Sequence, residues 1–379
     1  MTDRTTLLME PFAAVCADYY ATARKAAAAG RPVAGFFCSY SPQEIFHAAG
    51  YLPVRVFGHC GETGRADEVL QPYACSFARS ALHASRSGEY DFLSVAVFAH
   101  TCDTMQNVAD LWRGPVPVMI TSLPSRLEGA AARRYFRADL ERIRGMVEQL
   151  AGPVSDAALL ASVRLHLAHQ TAMRRLYALR RMNPGLLSGA EAFRVVLSSM
   201  LMDKADHLPL LEPLLDTLAQ EAEAPYAAGL PRILVAGSMC QQCDFADAIE
   251  RAGCVIVDDD LCVGSRSFEL PDARAEDPLD LIMENYLSRR PCPAFHKPGH
   301  DPGPQLVEMA RNTHADGVVF LMTSFCDPMA FDHPRADKCL ADAGIPSVTV
   351  FVEQHQTPPE QLTTRVEAFL ETLGGGRGA

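Results

Sequence analysis

The chain has no surplus of basic residues: 34 Lys and Arg stand against 46 Asp and Glu, a formal charge of −12. That balance excludes the basic patch a nucleic-acid surface needs and offers an anionic membrane nothing to attract. No apolar run approaches the roughly 20 residues that span a bilayer. The opening residues lack a basic segment followed by a long apolar core, so the expectation is no secretory signal and a cytoplasmic protein. Recognisable phosphate and nucleophile loops are missing too. No G-x-G-x-x-G, Walker or G-x-S-x-G sequence occurs, which leaves nucleotide binding and serine hydrolysis unsupported.

Cysteine, by contrast, is plentiful, with 12 in the chain. A cytoplasmic protein keeps them reduced, so they are either small apolar core residues or ligands. Three of them follow apolar, strand-like runs: Cys75 after residues 70–74, Cys102 after 94–101 and Cys326 after 317–325. Ligands of an open parallel sheet collect at the carboxyl ends of its strands, where residues distant in sequence can meet. Three converging thiolates would leave one open position on a cubane iron–sulfur cluster. Cys75 and Cys102 each precede a helical pattern, and a helix N-terminus favours a thiolate. Cys326 precedes the turn Asp327-Pro-Met. Position alone leaves ligand and core cysteine both open.

The remaining cysteines are weaker candidates. Cys240-Gln-Gln-Cys243 is the only C-x-x-C. Its place between a strand and a helix suits a thiol oxidoreductase, and a zinc ribbon would need a second such pair. Cys262 ends a strand and is a minor candidate. Cys38 lies in an apolar run and reads as core. Cys16, Cys254 and Cys339 read as packing residues, while Cys60 and Cys292 sit in loops without partner spacing. Ser39, Tyr40, Glu44, His100 and Asp103 fall near the same crevice, each with a structural alternative. Ser41, Pro42 and Glu44 have the order of a capping box. The turn Gly264-Ser-Arg266 suits either a phosphate or an acidic neighbour.

Strand and helix patterns alternate over residues 1–126, give way to helical spacing over 127–228, and resume over 229–379. The first stretch opens with a helix over residues 5–29, and the middle one carries helices over 138–150, 157–181 and 188–203. The expected fold class is α/β, with two Rossmann-like parallel-sheet domains joined by a helical connector. The first domain carries Cys75 and Cys102, and the last carries Cys326. The crevice between the halves is the expected site.

Several strings then narrow the function. Gly35-Phe-Phe-Cys-Ser-Tyr-Ser-Pro-Gln-Glu-Ile-Phe-His-Ala-Ala-Gly50 comes first, followed by Tyr73-Ala-Cys-Ser-Phe-Ala-Arg-Ser80 and Thr101-Cys-Asp-Thr104. Asp258-Asp-Asp-Leu-Cys-Val-Gly-Ser-Arg266, Phe325-Cys-Asp-Pro328 and Thr364-Arg-Val-Glu-Ala-Phe369 complete the set. In this order they resemble the 2-hydroxyacyl-CoA dehydratase and benzoyl-CoA reductase family, its smaller, C-type subunit in particular. The resemblance implies a 4Fe–4S cluster on Cys75, Cys102 and Cys326, with Ser39 near the open iron; Ser39 and, from its place near the crevice, Glu44 are the catalytic candidates. It implies an acyl-CoA substrate and a pairing with a homologous larger subunit, or with a second copy of itself. It also implies an ATP-dependent iron–sulfur activator that delivers one electron at low potential. Dehydratases of this kind reduce the thioester and expel a hydroxyl as water; the reductases reduce an aromatic ring. Two alternatives stand beside this reading. One is a double-cubane 8Fe–9S branch that reduces small molecules, with Cys38, Cys240, Cys243 and Cys262 as extra ligands. The other is a non-catalytic partner subunit of a catalytic relative.

Overall fold

The computed structural model describes residues 3–58, 61–112, 116–220, 229–242, 244–269, 275–354, 356 and 360–375. Its first half runs α1 (Asp3–Ala17), α2 (Ala21–Ala28), β1 (Val33–Phe36), α3 (Gln43–Ala48), β2 (Leu52–Arg55), α4 (Gly64–Asp67), α5 (Ser76–Arg86), β3 (Val95–Ala99), α6 (Asp103–Leu111) and β4 (Val118–Thr121). The middle is helical: α7 (Ala130–Ala151), α8 (Asp156–Met182), α9 (Gly189–Leu201) and α10 (Lys204–Gln220). The second half runs β5 (Arg232–Gly237), α11 (Asp244–Arg251), β6 (Val255–Asp260), α12 (Pro278–Ser288), α13 (Pro302–Asn312), β7 (Gly317–Thr323), α14 (Asp327–Asp342), β8 (Ser347–Val352) and α15 (Glu360–Gly375).

The α/β expectation with two parallel sheets is met. Each sheet has four strands, in the orders β2-β1-β3-β4 and β6-β5-β7-β8, and all pairings are parallel. The central strands β1, β3 and β7 are buried along their whole length. Their near-continuous apolar sequences follow from that, because helices cover both faces. In each sheet the strand order reverses beside the first strand, which is where a crevice opens at the carboxyl ends. Gly237 makes one of these turns possible: its φ is +143, and a Cβ would collide with the carbonyl oxygen of Leu321. Only glycine lets the backbone of β5 leave the sheet so close to β7.

Three local expectations are corrected. The helix expected over residues 5–29 breaks between α1 and α2. Tyr19 turns its hydroxyl to the carbonyl of Gln241 at 2.7 Å, and Tyr20 accepts the Phe57 N–H at 2.7 Å. These two contacts stop a straight helix. Within the stretch of helical spacing over 127–228, the sequence picks out no helix beyond residue 203, yet α10 forms there despite Pro209 and Pro213, because Leu211, Leu214, Leu215 and Leu218 are buried on one side. The capping box at Ser41–Glu44 is absent as well. Pro42 occupies the cap position, no side chain caps α3, and the Ser41 hydroxyl has no partner. The box forms elsewhere, at Ser188 and Glu191 ahead of α9.

Candidate metal centre

Cys75, Cys102 and Cys326 line one cleft between the two halves, of about 850 Å³ with its open mouth included. Each is the cap residue at the start of a helix: Cys75 on α5, Cys102 on α6 and Cys326 on α14. The sequence suggests helix starts for the first two and only a turn for the third; Asp327-Pro328 instead opens a full helix. Backbone N–H groups of Phe77 and Ala78 point at the Cys75 sulfur, those of Thr104 and Met105 at Cys102, and that of Met329 at Cys326. These amides pull the thiol pKa values down, but burial pushes harder in the other direction. Cys75 is raised to about 11, and Cys102 and Cys326 are raised as well, with nearby cysteines adding to burial at Cys75 and Cys326. The expected thiolate-favouring helix ends are thus present, and desolvation outweighs them.

Three further cysteines line the same cleft: Cys38, Cys262 and Cys292. Cys38 leaves the end of β1 and Cys262 the end of β6, the same strand-end position that marks Cys102 and Cys326. Cys292 arrives on the loop Pro291-Cys-Pro293. Applied evenly, the strand-end rule finds the first two. The paired prolines, which stiffen a loop, are the only signal for the third. Cys38, read as core, does pack against a hydrophobic core but also faces the cleft, and Cys292, read as a loop residue without partners, does the same. Burial raises Cys38 to about 11 and Cys292 to about 12, and Cys262 adds to each shift.

Two guanidinium groups face this second set. Arg55 reaches the Cys262 sulfur at 3.8 Å and the Ser39 hydroxyl at 3.4 Å. Arg266 lines the cleft while held by both oxygens of Asp260, at 2.8 and 2.5 Å. The Gly264–Arg266 turn therefore serves an acidic neighbour, one of the two roles expected of it.

The other cysteines lie elsewhere. Cys240 is buried in a core of the second half, where its thiol donates to the Gln242 carbonyl at 3.6 Å and burial raises it to about 12. Cys243 and Cys60 lie outside the described residues. Cys254 and Cys16 donate to backbone carbonyls of Ile249 and Arg194. Gln241, between the paired cysteines, is a structural link. It exchanges hydrogen bonds with the backbone of Gly58 at 2.7 and 3.2 Å. The Gln354 side chain accepts the Gln241 N–H at 3.1 Å, and the Gln354 N–H donates to the Ser76 hydroxyl at 3.0 Å. These contacts pin the start of α5, and so Cys75, to the second half.

Ser39 lines a chamber next to the cleft rather than the cleft itself, and donates to the Cys262 carbonyl at 3.2 Å. Glu44 does not line the cleft. It is buried at the wall of the same chamber, where Tyr286 donates to its carboxylate at 3.0 Å. Tyr40 is buried and donates to the Arg290 carbonyl, while His100 and Asp103 are exposed. Among the described residues no three His, Cys, Asp or Glu side chains converge on a point that would hold a single metal ion. The thiols surround a space instead. Donors that are all sulfur suit iron–sulfur chemistry rather than a hard cation.

A family model described as 2-hydroxyglutaryl-CoA dehydratase, D-component, matches residues 38–373. The chain belongs to that family. The match spans all six cysteines of the cleft. Among curated relatives, the (R)-phenyllactyl-CoA dehydratase beta subunit of Clostridium sporogenes is 27% identical over 348 residues, covering 91% of this chain and 92% of its own. Lactoyl-CoA dehydratase subunit beta of Anaerotignum propionicum is 27% identical over 347 residues, covering 91% of this chain and 92% of its own. The C-type subunit of Thauera aromatica benzoyl-CoA reductase is 27% identical over 360 residues, covering 92% of each. The names of these relatives include both dehydratase and reductase subunits, and the chain is an enzyme-related subunit of their family. Among the described residues no helix is long and apolar enough to cross a membrane.

Proposed function

We propose that this chain is the iron–sulfur subunit of an ATP-activated, radical-type 2-hydroxyacyl-CoA dehydratase or aryl-CoA reductase, holding a 4Fe–4S cluster on Cys75, Cys102 and Cys326. One observation carries the reading: three sulfurs from separate loops line the same cleft, each at a helix start with backbone N–H groups aimed at it. Buried thiols with raised pKa values stay protonated unless a metal displaces the proton, so the site is built for binding rather than for a free nucleophile. When bound, such a cluster supplies low-potential electrons and an iron with an open position. The chain's own part is to hold the sulfurs apart from water, to donate N–H groups that stabilise their charge, and to leave the cleft open toward an acyl-CoA. Ser39 supplies a hydroxyl from the chamber next to the cleft, and Glu44 lines the same chamber. The partners that go with this reading are a homologous larger subunit, or a second copy of the chain, and an ATP-dependent iron–sulfur activator in the cytoplasm.

A second reading rests on the additional thiols. Cys38, Cys262 and Cys292 make a second set of three in the same cleft, which suits a double-cubane 8Fe–9S cluster that reduces small molecules. Cys240, a candidate ligand for such a cluster by its sequence, is not part of that set. Iron and acid-labile sulfide analysis of the anaerobically purified chain separates the two. About four irons per chain, lost in Cys75→Ala, Cys102→Ala or Cys326→Ala and kept in Cys292→Ala, supports the single cluster. About eight irons, falling in Cys38→Ala or Cys292→Ala, supports the double one. Iron content untouched by any of these variants overturns both.

A further inference from the structure

Behind the cleft, and sharing Arg55 with its wall, lies a partly open chamber between α3, α8, α9 and α12. Its cavity measures about 50 Å³, against the roughly 10–15 Å³ that a single water needs. A few waters or one small molecule fit. Three cationic side chains line it, Arg55, Lys204 and Arg289, against one carboxyl group, Glu44. Asp203, beside Lys204 in sequence, does not line the chamber and also holds Arg31 at 2.5 Å and His47 at 3.3 Å. Burial lowers the Lys204 pKa to about 8 even with Asp203 and Glu44 raising it. Lys204 donates to the Ser199 carbonyl, and Arg289 donates to Asn285 at 3.0 Å and to the Ser39 carbonyl at 2.9 Å. Those acceptors are neutral, so the lining keeps an excess of positive charge, which is costly away from water and which an anionic guest would reduce.

One buried nitrogen on each of two side chains there also lacks a partner. Arg55 is 3% exposed and its Nε–H finds no acceptor. His166 is 6% exposed and its Nε2 has no partner. The other ring nitrogen, Nδ1, lies 2.9 Å from the Ser162 carbonyl, which can only accept, so Nδ1 carries the proton. Burial pushes the ring pKa down to about 3, which leaves Nε2 as a bare acceptor facing the chamber. The unmet needs are complementary: negative oxygen for the cations and a hydroxyl for the histidine.

We propose that this chamber binds a small hydroxylated oxyanion, the size of hydrogencarbonate or glycolate, with its charge on Lys204, Arg55 and Arg289 and its O–H turned to His166. The reading goes beyond the thiol cleft and does not depend on it. Isothermal titration of the full anaerobically purified chain with glycolate, hydrogencarbonate, acetate and nitrate at constant ionic strength tests it. Saturable binding of glycolate or hydrogencarbonate is expected, at least about tenfold tighter than acetate or nitrate, which lack the hydroxyl. Lys204→Met should weaken all four by about tenfold or more, and His166→Phe should remove the preference for glycolate while leaving acetate unchanged. Absence of saturable binding, equal affinity for glycolate and acetate, or a preference that survives His166→Phe would each overturn the proposal. If Lys204→Met does not fold, His166→Phe and the four-anion comparison decide the matter. The titration is independent of iron content, so its failure leaves the cluster reading to be judged by iron analysis alone.

Discussion

Cys75, Cys102 and Cys326 each stand at a helix start, whereas Cys38, Cys262 and Cys292 stand in loops beside Arg55 and Arg266. The first set is served by backbone amides, which no substitution removes without unmaking a helix. The second has a backbone donor in the Tyr40 N–H, on Cys38 at 3.4 Å, and is also faced by guanidinium ions on long side chains, which need partners of their own to stay in place. Amide donors offer partial charge in a fixed direction. A guanidinium brings a full charge, which at Arg266 is offset by the carboxylate of Asp260 and at Arg55 meets neutral groups, the Ser39 hydroxyl and the Cys262 thiol. The amide-held half is thus rigid and electrically mild, and the other half is strongly charged and dependent on an ion pair. Iron–sulfur potentials respond to both kinds of contact, so two clusters, or two ends of one, would be tuned differently here.

The largest expected effect tests that dependence. Arg266→Gln removes the main partner of buried Asp260 and leaves Arg290, at 3.2 Å, as the other ion pair among the described residues. A loss of about 3 kcal/mol in urea unfolding is expected, and an unchanged midpoint would erase the distinction between the halves. Next comes thiol reactivity in the metal-free protein. With Cys75 and Cys38 raised to about 11, alkylation near pH 8 should run about a hundredfold slower than at an ordinary thiol. It should also accelerate with pH up to that value. Mass-spectrometric labelling rates measure this, and fast modification of either residue at pH 8 contradicts it.

A smaller effect contrasts the chamber with the cleft. His166 and His207 are buried, and burial lowers each to about 3. Between that value and the ordinary histidine range the unfolded chain binds protons that the folded chain does not. Stability therefore falls as pH drops from about 6.5, by about 1.4 kcal/mol per pH unit for each such histidine. Urea unfolding at several pH values should show the slope, with one proton's worth missing in His166→Asn. The smallest effect lies at the cleft mouth. Phe325 holds a left-handed backbone at φ 62, in a turn closed by the Cys326 N–H on the Thr323 carbonyl at 3.1 Å. Glycine adopts that conformation without strain, so Phe325→Gly should gain about 1 kcal/mol in the same unfolding measurement. A loss would show that the ring, although 53% exposed, contributes more packing within the chain than its backbone strain costs.

Much of the fold is legible in the residues. The alternation of strands and helices marks both sheets, because parallel strands covered on both faces need near-continuous apolar sequence. Cys102 and Cys326 are visible at strand ends for the same reason. Local pattern misjudges the residues whose roles depend on distant neighbours. Ser41 and Glu44 have the order of a capping box, yet Tyr286, 242 residues away, takes the carboxylate. Gln241 reads as filler between two cysteines, and it latches the halves together through Gly58.

Residue order alone prescribed the elements, their parallel pairing and the family, since periodicity and short strings act over a few residues at a time. Folding decided which thiols share a space, joining Cys38, Cys262 and Cys292 to the expected three while leaving Cys240 in a core. It also decided that burial, more than helix ends, governs the chemistry of those sulfurs. Desolvation depends on everything packed around a group, and that is written nowhere in its immediate neighbours.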